Sequence, residues 1–120
     1  MTKNQNSKRY DLEERTLKFA KEVIAFVKTI PKTTANVEIV KQVIRSSSSV
    51  GANYIEANES LSKKDFVMRI KICRKEAKES IFWFKLIETK TPESERKRKE
   101  LIEEATQLVK IFSSIVEKSK

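Results

Sequence analysis

The sequence contains no histidine, one cysteine, one glycine and two prolines among its 120 residues. Without histidine, the usual thiol–imidazole and serine–histidine catalytic pairs are impossible, and so are the common zinc sites. The single cysteine, Cys73, cannot form an intrachain disulfide, and its helical spacing from Ile70, Ala77 and Phe84 predicts a small buried hydrophobe. Di-iron bundles typically need Glu-x-x-His motifs, which are also missing. We therefore expect a protein that is not an enzyme and that has no metal or cofactor.

Long apolar runs are missing as well. No stretch approaches the roughly 20 residues of a membrane span, and residues 1–15 are polar and charged, without the apolar core of a signal peptide. These features predict a cytoplasmic protein that does not enter a membrane. No segment shows the sustained alternation that a half-buried strand needs, and helix-forming residues dominate. The sequence therefore predicts an all-α chain.

Positive charge is in clear excess, with 26 Lys and Arg against 17 Asp and Glu, for a net charge of +9. Such a balance favours nucleic acid or another polyanion as a partner, although it does not by itself prove one. The length suits one domain, and the 38% of hydrophobic residues can form a core beneath a surface that carries most of the charge.

Four helical segments can be delimited from their end signals. Residues 1–9 are polar and are expected to be frayed, so that a single domain covers residues 10–120. Asp11 with Glu14 resembles a capping box and opens a helix over about 11–30, which Pro31 ends. A second helix, capped by Asn36 or Thr34, continues to about residue 60.

The third and fourth helices have clearer beginnings. Ser62 and Asp65 form a box-like start for a long third helix, and Thr91 caps a fourth helix in which Pro92 occupies the first turn. Because the connections are short, neighbouring helices should be antiparallel. The pattern thus predicts an all-α, antiparallel up-down-up-down four-helix bundle.

The second helix contains unusually small side chains. Ser47 and Gly51 continue the apolar stripe of Val37, Val40, Ile44, Tyr54 and Leu61, so the serine run should lie inside a helix that a neighbour approaches closely; a serine-rich linker is the alternative. Asn53 and Glu56 fall near this stripe. We expect Glu56 to make a polar contact that holds the helices in register.

The third helix carries a line of lysines spaced by seven, four, three and seven residues: Lys64, Lys71, Lys75, Lys78 and Lys85. At about 100° per residue they stay within roughly 40° of one line and span about 30 Å, comparable with one turn of duplex. Such a stripe, which Arg74 could widen, can follow a phosphate backbone without reading bases. The equally open alternative is an ordinary solvated surface, whose positive charge is partly neutralised by nearby acidic residues: Asp65, Glu76, Glu79 and Glu88.

The same helix has apolar residues off its main stripe. A single bundle cannot easily cover them all, and exposed apolar patches usually mark a partner surface, so they predict self-association through Met68, Ile72, Phe82, Trp83 and Leu86. Phe82, near the lysines, could instead stack on a base, but an interface role is favoured.

Three blocks of sequence carry a family resemblance: residues 45–57 (RSSSSVGANYIEA), residues 62–66 (SKKDF) and residues 75–80 (KEAKES) followed by Trp83. In this order they resemble the four-helix bundle proteins encoded in bacterial 23S rRNA intervening sequences, also labelled S23 ribosomal proteins. The resemblance implies a ring-like homopentamer. It also implies a relation to the accessory variability determinant of diversity-generating retroelements, a basic pentamer that binds nucleic acid and reverse transcriptase. The resemblance implies no catalytic residue. The positions that it carries over are those that define the fold: Arg45, Ser47, Gly51, Asn53, Glu56, Asp65, Glu76, Glu79 and Trp83.

Two hypotheses follow from the sequence. In the first, the protein is a basic oligomeric adaptor that binds RNA or DNA through phosphate contacts of the third helix. In the second, it is an oligomeric protein scaffold, such as a reverse-transcriptase accessory protein, whose charge serves solubility.

Overall fold

The computed structural model of the protein describes the backbone of residues 2–120 and the side chains of residues 11–120. Its elements are α1 (Thr2–Val27), α2 (Thr34–Asn58), α3 (Lys63–Leu86) and α4 (Pro92–Lys118). Each helix packs against the helices before and after it, α1 also touches α4, and the α1/α3 and α2/α4 pairs lie across the diagonals. This arrangement confirms the all-α up-down-up-down bundle.

The first helix begins earlier than predicted, at Thr2 instead of Asp11, and ends at Val27. Asp11 and Glu14 therefore lie within a helix and do not begin one, because no proline or glycine interrupts the polar residues before them. The frayed segment predicted for residues 1–9 falls outside the residues whose side chains are described, so it stays a prediction.

The caps of α3 and α4 are those predicted. The Ser62 hydroxyl accepts a hydrogen bond from the backbone N–H of Asp65 at 3.1 Å, and the Thr91 hydroxyl accepts one from the N–H of Ser94 at 3.0 Å. Pro92 occupies the first turn of α4. The prediction of Asn36 or Thr34 as the cap of α2 was wrong: Thr33 is the cap, and its hydroxyl accepts from the N–H of Asn36 at 3.0 Å.

Asn36 instead joins the two loops at one end of the bundle. Its side chain is 1% exposed. The amide nitrogen donates to the carbonyl oxygens of Pro31 and Glu88, both at 2.9 Å, and the amide oxygen accepts from the N–H of Glu88 at 3.0 Å. One side chain thus satisfies three backbone groups, which fixes the α1–α2 connection against the α3–α4 connection.

Aromatic rings span both diagonals of the core. The Phe84 ring of α3 lies edge-on to Phe19 and Phe26 of α1, with centroid distances of 6.3 and 6.4 Å. Across the other diagonal, Tyr54 of α2 meets Phe112 of α4 at 6.1 Å. These contacts connect helices whose backbones do not touch, so the centre of the bundle is filled by large side chains.

The serine run lies inside α2, as predicted, and the linker alternative is wrong. Ser46 and Ser47 are buried, and a Cβ built on Gly51 would lie 3.0 Å from the Thr16 hydroxyl oxygen of α1. The absence of that Cβ lets α1 and α2 approach closely. The centre of the stripe was misplaced, however, because Val43 and Val50 are fully buried whereas two predicted members are exposed, Val37 and Leu61.

Candidate nucleic-acid interface

Polar side chains form the contact between α2 and α3. The hydroxyl groups of Ser46 and Ser80 are 2.8 Å apart, and the Ser80 hydroxyl also donates to the carbonyl oxygen of Glu76 at 2.9 Å. Farther along, the Arg69 guanidinium donates to the Asn53 side-chain oxygen at 3.0 Å. No buried side-chain nitrogen or oxygen of residues 11–120 lacks a partner. These bonds need particular pairs of residues to face each other, so they favour one rotation of α3.

Arg45 draws two acidic residues of α3 toward α2. Its guanidinium donates to the carboxylate of Glu76 at 3.4 Å and also binds the carboxylate of Glu79. The Trp83 indole N–H donates to the same Glu79 carboxylate at 3.1 Å. This indole hydrogen bond, followed by the one from Arg45, holds the pKa of Glu79 below its usual range.

Glu56 does not hold the helices in register, because its side chain is exposed. The buried carboxylate is Glu76, which is 7% exposed and paired with Arg45. Sequence spacing placed Glu56 near the stripe of α2, but the true centre of that stripe, at Val43 and Val50, turns Glu56 outward.

The predicted lysine stripe lies on the outer side of α3. Its five lysines are exposed and Arg74 is half-buried, and within residues 11–120 none of these six cations has a carboxylate oxygen within 4.0 Å: Lys64, Lys71, Arg74, Lys75, Lys78 and Lys85. Two of the acids expected to soften this surface, Glu76 and Glu79, pair with Arg45. The acidic residues of α3 therefore neutralise less of the positive charge of the stripe than the sequence suggested.

The basic run at residues 96–99 is more mixed. Lys97 lies 3.0 Å from the carboxylate of Glu22, and Arg98 pairs with Glu95. Only Arg96 and Lys99 of this run are exposed without an ion pair in the described part of the chain. The run thus contributes less free positive charge than the stripe on α3.

An apolar flank, made of the residues predicted for self-association, lies beside the stripe. Met68, Phe82 and Leu86 are 51%, 56% and 47% exposed, while Ile72 and Trp83 are half-buried. The rings of Phe82 and Trp83 meet edge-on with centroids 5.0 Å apart. Cationic and apolar surfaces are therefore adjacent on one helix.

A groove between α1 and α4 was missed by the sequence reasoning. Charges of both signs line it, and Arg15 crosses it to the two carboxylate oxygens of Glu104 at 2.7 and 2.9 Å. The Glu104 carboxylate raises the pKa of Arg15. No signal in the sequence could have indicated this groove, since it depends on the pairing of residues far apart in the chain.

Cys73 is fully buried in the core, as predicted. Burial away from water raises the pKa of its thiol to about 12, so the thiol is protonated at neutral pH. Among the residues with described side chains, no group of three His, Cys, Asp or Glu is placed to hold a metal ion. None of the helices in the described part is long and apolar enough to cross a membrane.

These features define the chain as a basic four-helix bundle with an exposed cationic helix face. Residues 8–114 match the family described as 23S rRNA-intervening sequence protein, and the chain belongs to this family. It is similar to the crystal structure of a protein with unknown function from the S23 ribosomal protein family of Bacteroides thetaiotaomicron VPI-5482. The two chains are 29% identical over 87% of this chain and 96% of that one, with a TM-score of 0.75. No curated protein matches the sequence significantly.

Proposed function

We propose that the protein is a non-enzymatic, oligomeric adaptor that binds RNA or DNA mainly through phosphate contacts, without a cofactor, in the cytoplasm. The observation that supports this proposal is the lysine stripe of α3, whose members are exposed and lack ion pairs among residues 11–120. A straight helix of this length presents charges over about 30 Å, enough to follow a backbone for several phosphates.

The contrast with other cations strengthens the proposal. Arg15, Lys97 and Arg98 are held by carboxylates within the bundle, so they serve the fold. The stripe lysines make no such contact, and their unpaired charges repel one another on a single helix. A polyanion would relieve that repulsion, which is a reason for a surface of this kind to bind one.

A charge reversal of the stripe tests this function. The triple variant Lys71→Glu, Lys75→Glu and Lys78→Glu is expected to weaken binding to labelled RNA and DNA at least about tenfold, regardless of sequence, because three phosphate contacts become repulsive. On duplex DNA the slope of log affinity against log salt should become shallower by about 2.7, or 0.9 per contact. Fluorescence anisotropy over a range of salt concentrations measures both quantities.

The matched control reverses three exposed lysines outside α3 that also lack ion pairs in the described chain, Lys21, Lys28 and Lys110. This control changes the net charge equally, so a general electrostatic effect would weaken binding in both variants alike. Equal affinities for the control and the stripe variant would contradict the proposed site.

A second candidate function is an oligomeric protein scaffold, and the apolar flank favours it. Isolated monomers rarely leave such residues together on one helix. The family resemblance implies a homopentamer, whose interface this flank could form, and it implies a reverse transcriptase as the protein partner. Both functions can coexist on adjacent surfaces of α3.

Met68→Glu tests the scaffold. Because association would have to remove the introduced carboxylate from water, this variant is expected to dissociate the assembly while the helices remain folded. Light scattering should then give a mass near that of the 14.0 kDa chain. Leu61→Glu is the control, since Leu61 is fully exposed and lies outside the flank. An unchanged mass for Met68→Glu would show that this flank is not the interface.

A further inference from the structure

Phe82 stands within the lysine stripe and not only beside it. It follows Lys78 by four residues and precedes Lys85 by three, so the three side chains are neighbours on the surface of α3. Helical side chains lean toward the N-terminus, which brings the Phe82 ring toward Lys78 and Lys75. A ring that is 56% exposed thus lies between exposed lysines on the helix surface.

The Phe82 ring is also connected, through a chain of side-chain contacts, to the neighbouring helix α2. It meets Trp83 edge-on at 5.0 Å, the Trp83 indole N–H donates to Glu79, and Glu79 is bound by Arg45 of α2. This chain of contacts anchors the aromatic pair to a second helix. A ligand that packs on Phe82 therefore meets a preordered surface, which lowers the entropic cost of binding.

From this geometry we infer that the stripe takes single-stranded nucleic acid, with an unpaired base stacked on Phe82 and phosphates on the flanking lysines. The inference rests on the proposed function and narrows it to one class of ligand. Aromatic platforms among cations are a general device for binding single strands, because every unpaired base offers a face for stacking. In a duplex the bases are stacked on each other, so Phe82 has no comparable partner.

The charge around Phe82 argues against its use in a contact between subunits. Packing an apolar protein surface over the ring would remove the ammonium groups of Lys75, Lys78 and Lys85 from water without supplying counter-charges. A nucleic-acid strand supplies phosphates together with the apolar base. Phe82 is thereby reassigned from the predicted oligomer interface to the ligand surface, while Leu86, which has no stripe lysine three or four residues away, remains a candidate for self-association.

The substitution Phe82→Leu tests the inference because it keeps an apolar side chain but removes the aromatic face. The probes are a labelled, unstructured DNA strand of about 12 nucleotides, its duplex with the complementary strand, and a strand of equal length with abasic sites. This length is within the usual size of the sites at which proteins bind single strands. We expect Phe82→Leu to weaken binding to the normal strand about 5- to 150-fold. Binding to the duplex and to the abasic strand should change less than about twofold, and Phe82→Trp should restore most of the loss.

Ile55→Leu is the control, since it changes an apolar residue that is 50% exposed but lies on α2, outside the lysine stripe of α3, and it should bind all three probes like the unmodified protein. Equal losses on the three probes for Phe82→Leu, or a lower particle mass by light scattering, would overturn the inference and assign Phe82 to the fold or to self-association. The stripe variant separates this failure from that of the proposed function. If it loses binding while Phe82→Leu keeps it, only the stacking is refuted; if neither loses binding, the proposed function falls too.

Discussion

Replacing Phe84 by alanine is expected to lower the free energy of unfolding by about 3–5 kcal/mol. The Phe84 side chain is fully buried and is the ring that reaches from α3 to Phe19 and Phe26 on the opposite helix. Its loss leaves a cavity at the centre of the bundle, where the backbones of α1 and α3 are too far apart to collapse onto each other. Urea unfolding followed by circular dichroism gives the value.

Phe82→Ala provides a control of identical chemistry two residues earlier in the same helix. Because Phe82 is more than half exposed, at 56%, the control is expected to cost less than about 1 kcal/mol. Similar losses for the two variants would mean that the diagonal aromatic contacts do not support the core in the way the geometry indicates.

Replacing Asn36 by aspartate is expected to cost about 3 kcal/mol or more at pH 7. The change is nearly isosteric, but it exchanges the amide nitrogen, which donates to the carbonyl oxygens of Pro31 and Glu88 at 2.9 Å, for a negatively charged oxygen. A buried carboxylate would then face two acceptors without a donor on that side. During unfolding of this variant, the α1–α2 and α3–α4 connections that Asn36 joins should separate before the rest of the bundle.

The loss of unfolding free energy caused by Asn36→Asp should increase with pH. Repulsion and burial raise the pKa of the introduced carboxyl group in the folded state above its unfolded value of about 3.9. The folded state then binds more protons between these two values, so the deficit is smallest below about pH 3.9 and grows as the pH rises through the folded-state pKa. Urea unfolding of the variant and the unmodified protein at several pH values measures this dependence.

Asn53→Asp is the matched control for this substitution. It makes the same chemical change in the same helix and also removes a bond from an amide nitrogen to a carbonyl oxygen, that of Ser49 at 2.9 Å. Asn53 is only half-buried, however, and the new carboxylate would face the Arg69 guanidinium, which lies 3.0 Å from the present amide oxygen. We expect a cost below about 1 kcal/mol at pH 7. A constant deficit for Asn36→Asp across the pH range would contradict the role given to the Asn36 amide.

Much of the fold could be predicted from the sequence because its end signals are local. Ser62, Thr91 and Pro92 act on backbone groups three residues away or fewer, so a short pattern is sufficient to identify them. The start of α1 and the cap of α2 were less well predicted. In α1 a polar segment without helix breakers continues the helix, and in α2 the side chain of Asn36 is taken by backbone groups of two loops.

The lysine stripe that forms the candidate site could be predicted from the sequence, but its ion pairing could not. Constant spacing is enough to align the lysines of α3, since one helix fixes their relative directions. The diversion of Glu76 and Glu79 to Arg45 depends on the register between two helices, which spacing within either helix does not contain. For the same reason Glu56 was predicted to lie near the apolar stripe of α2, although its side chain faces solvent.

The buried thiol of Cys73 makes the protein well suited to spectroscopic labelling. Because the pKa of this thiol is about 12 and its side chain is fully buried, maleimide reagents should leave it unmodified in the folded protein at neutral pH. A cysteine introduced on the surface could then be labelled selectively without replacing the native one. Fluorophore pairs placed in this way would test the proposed contacts, those between copies of the chain and those with a labelled strand, without altering the core.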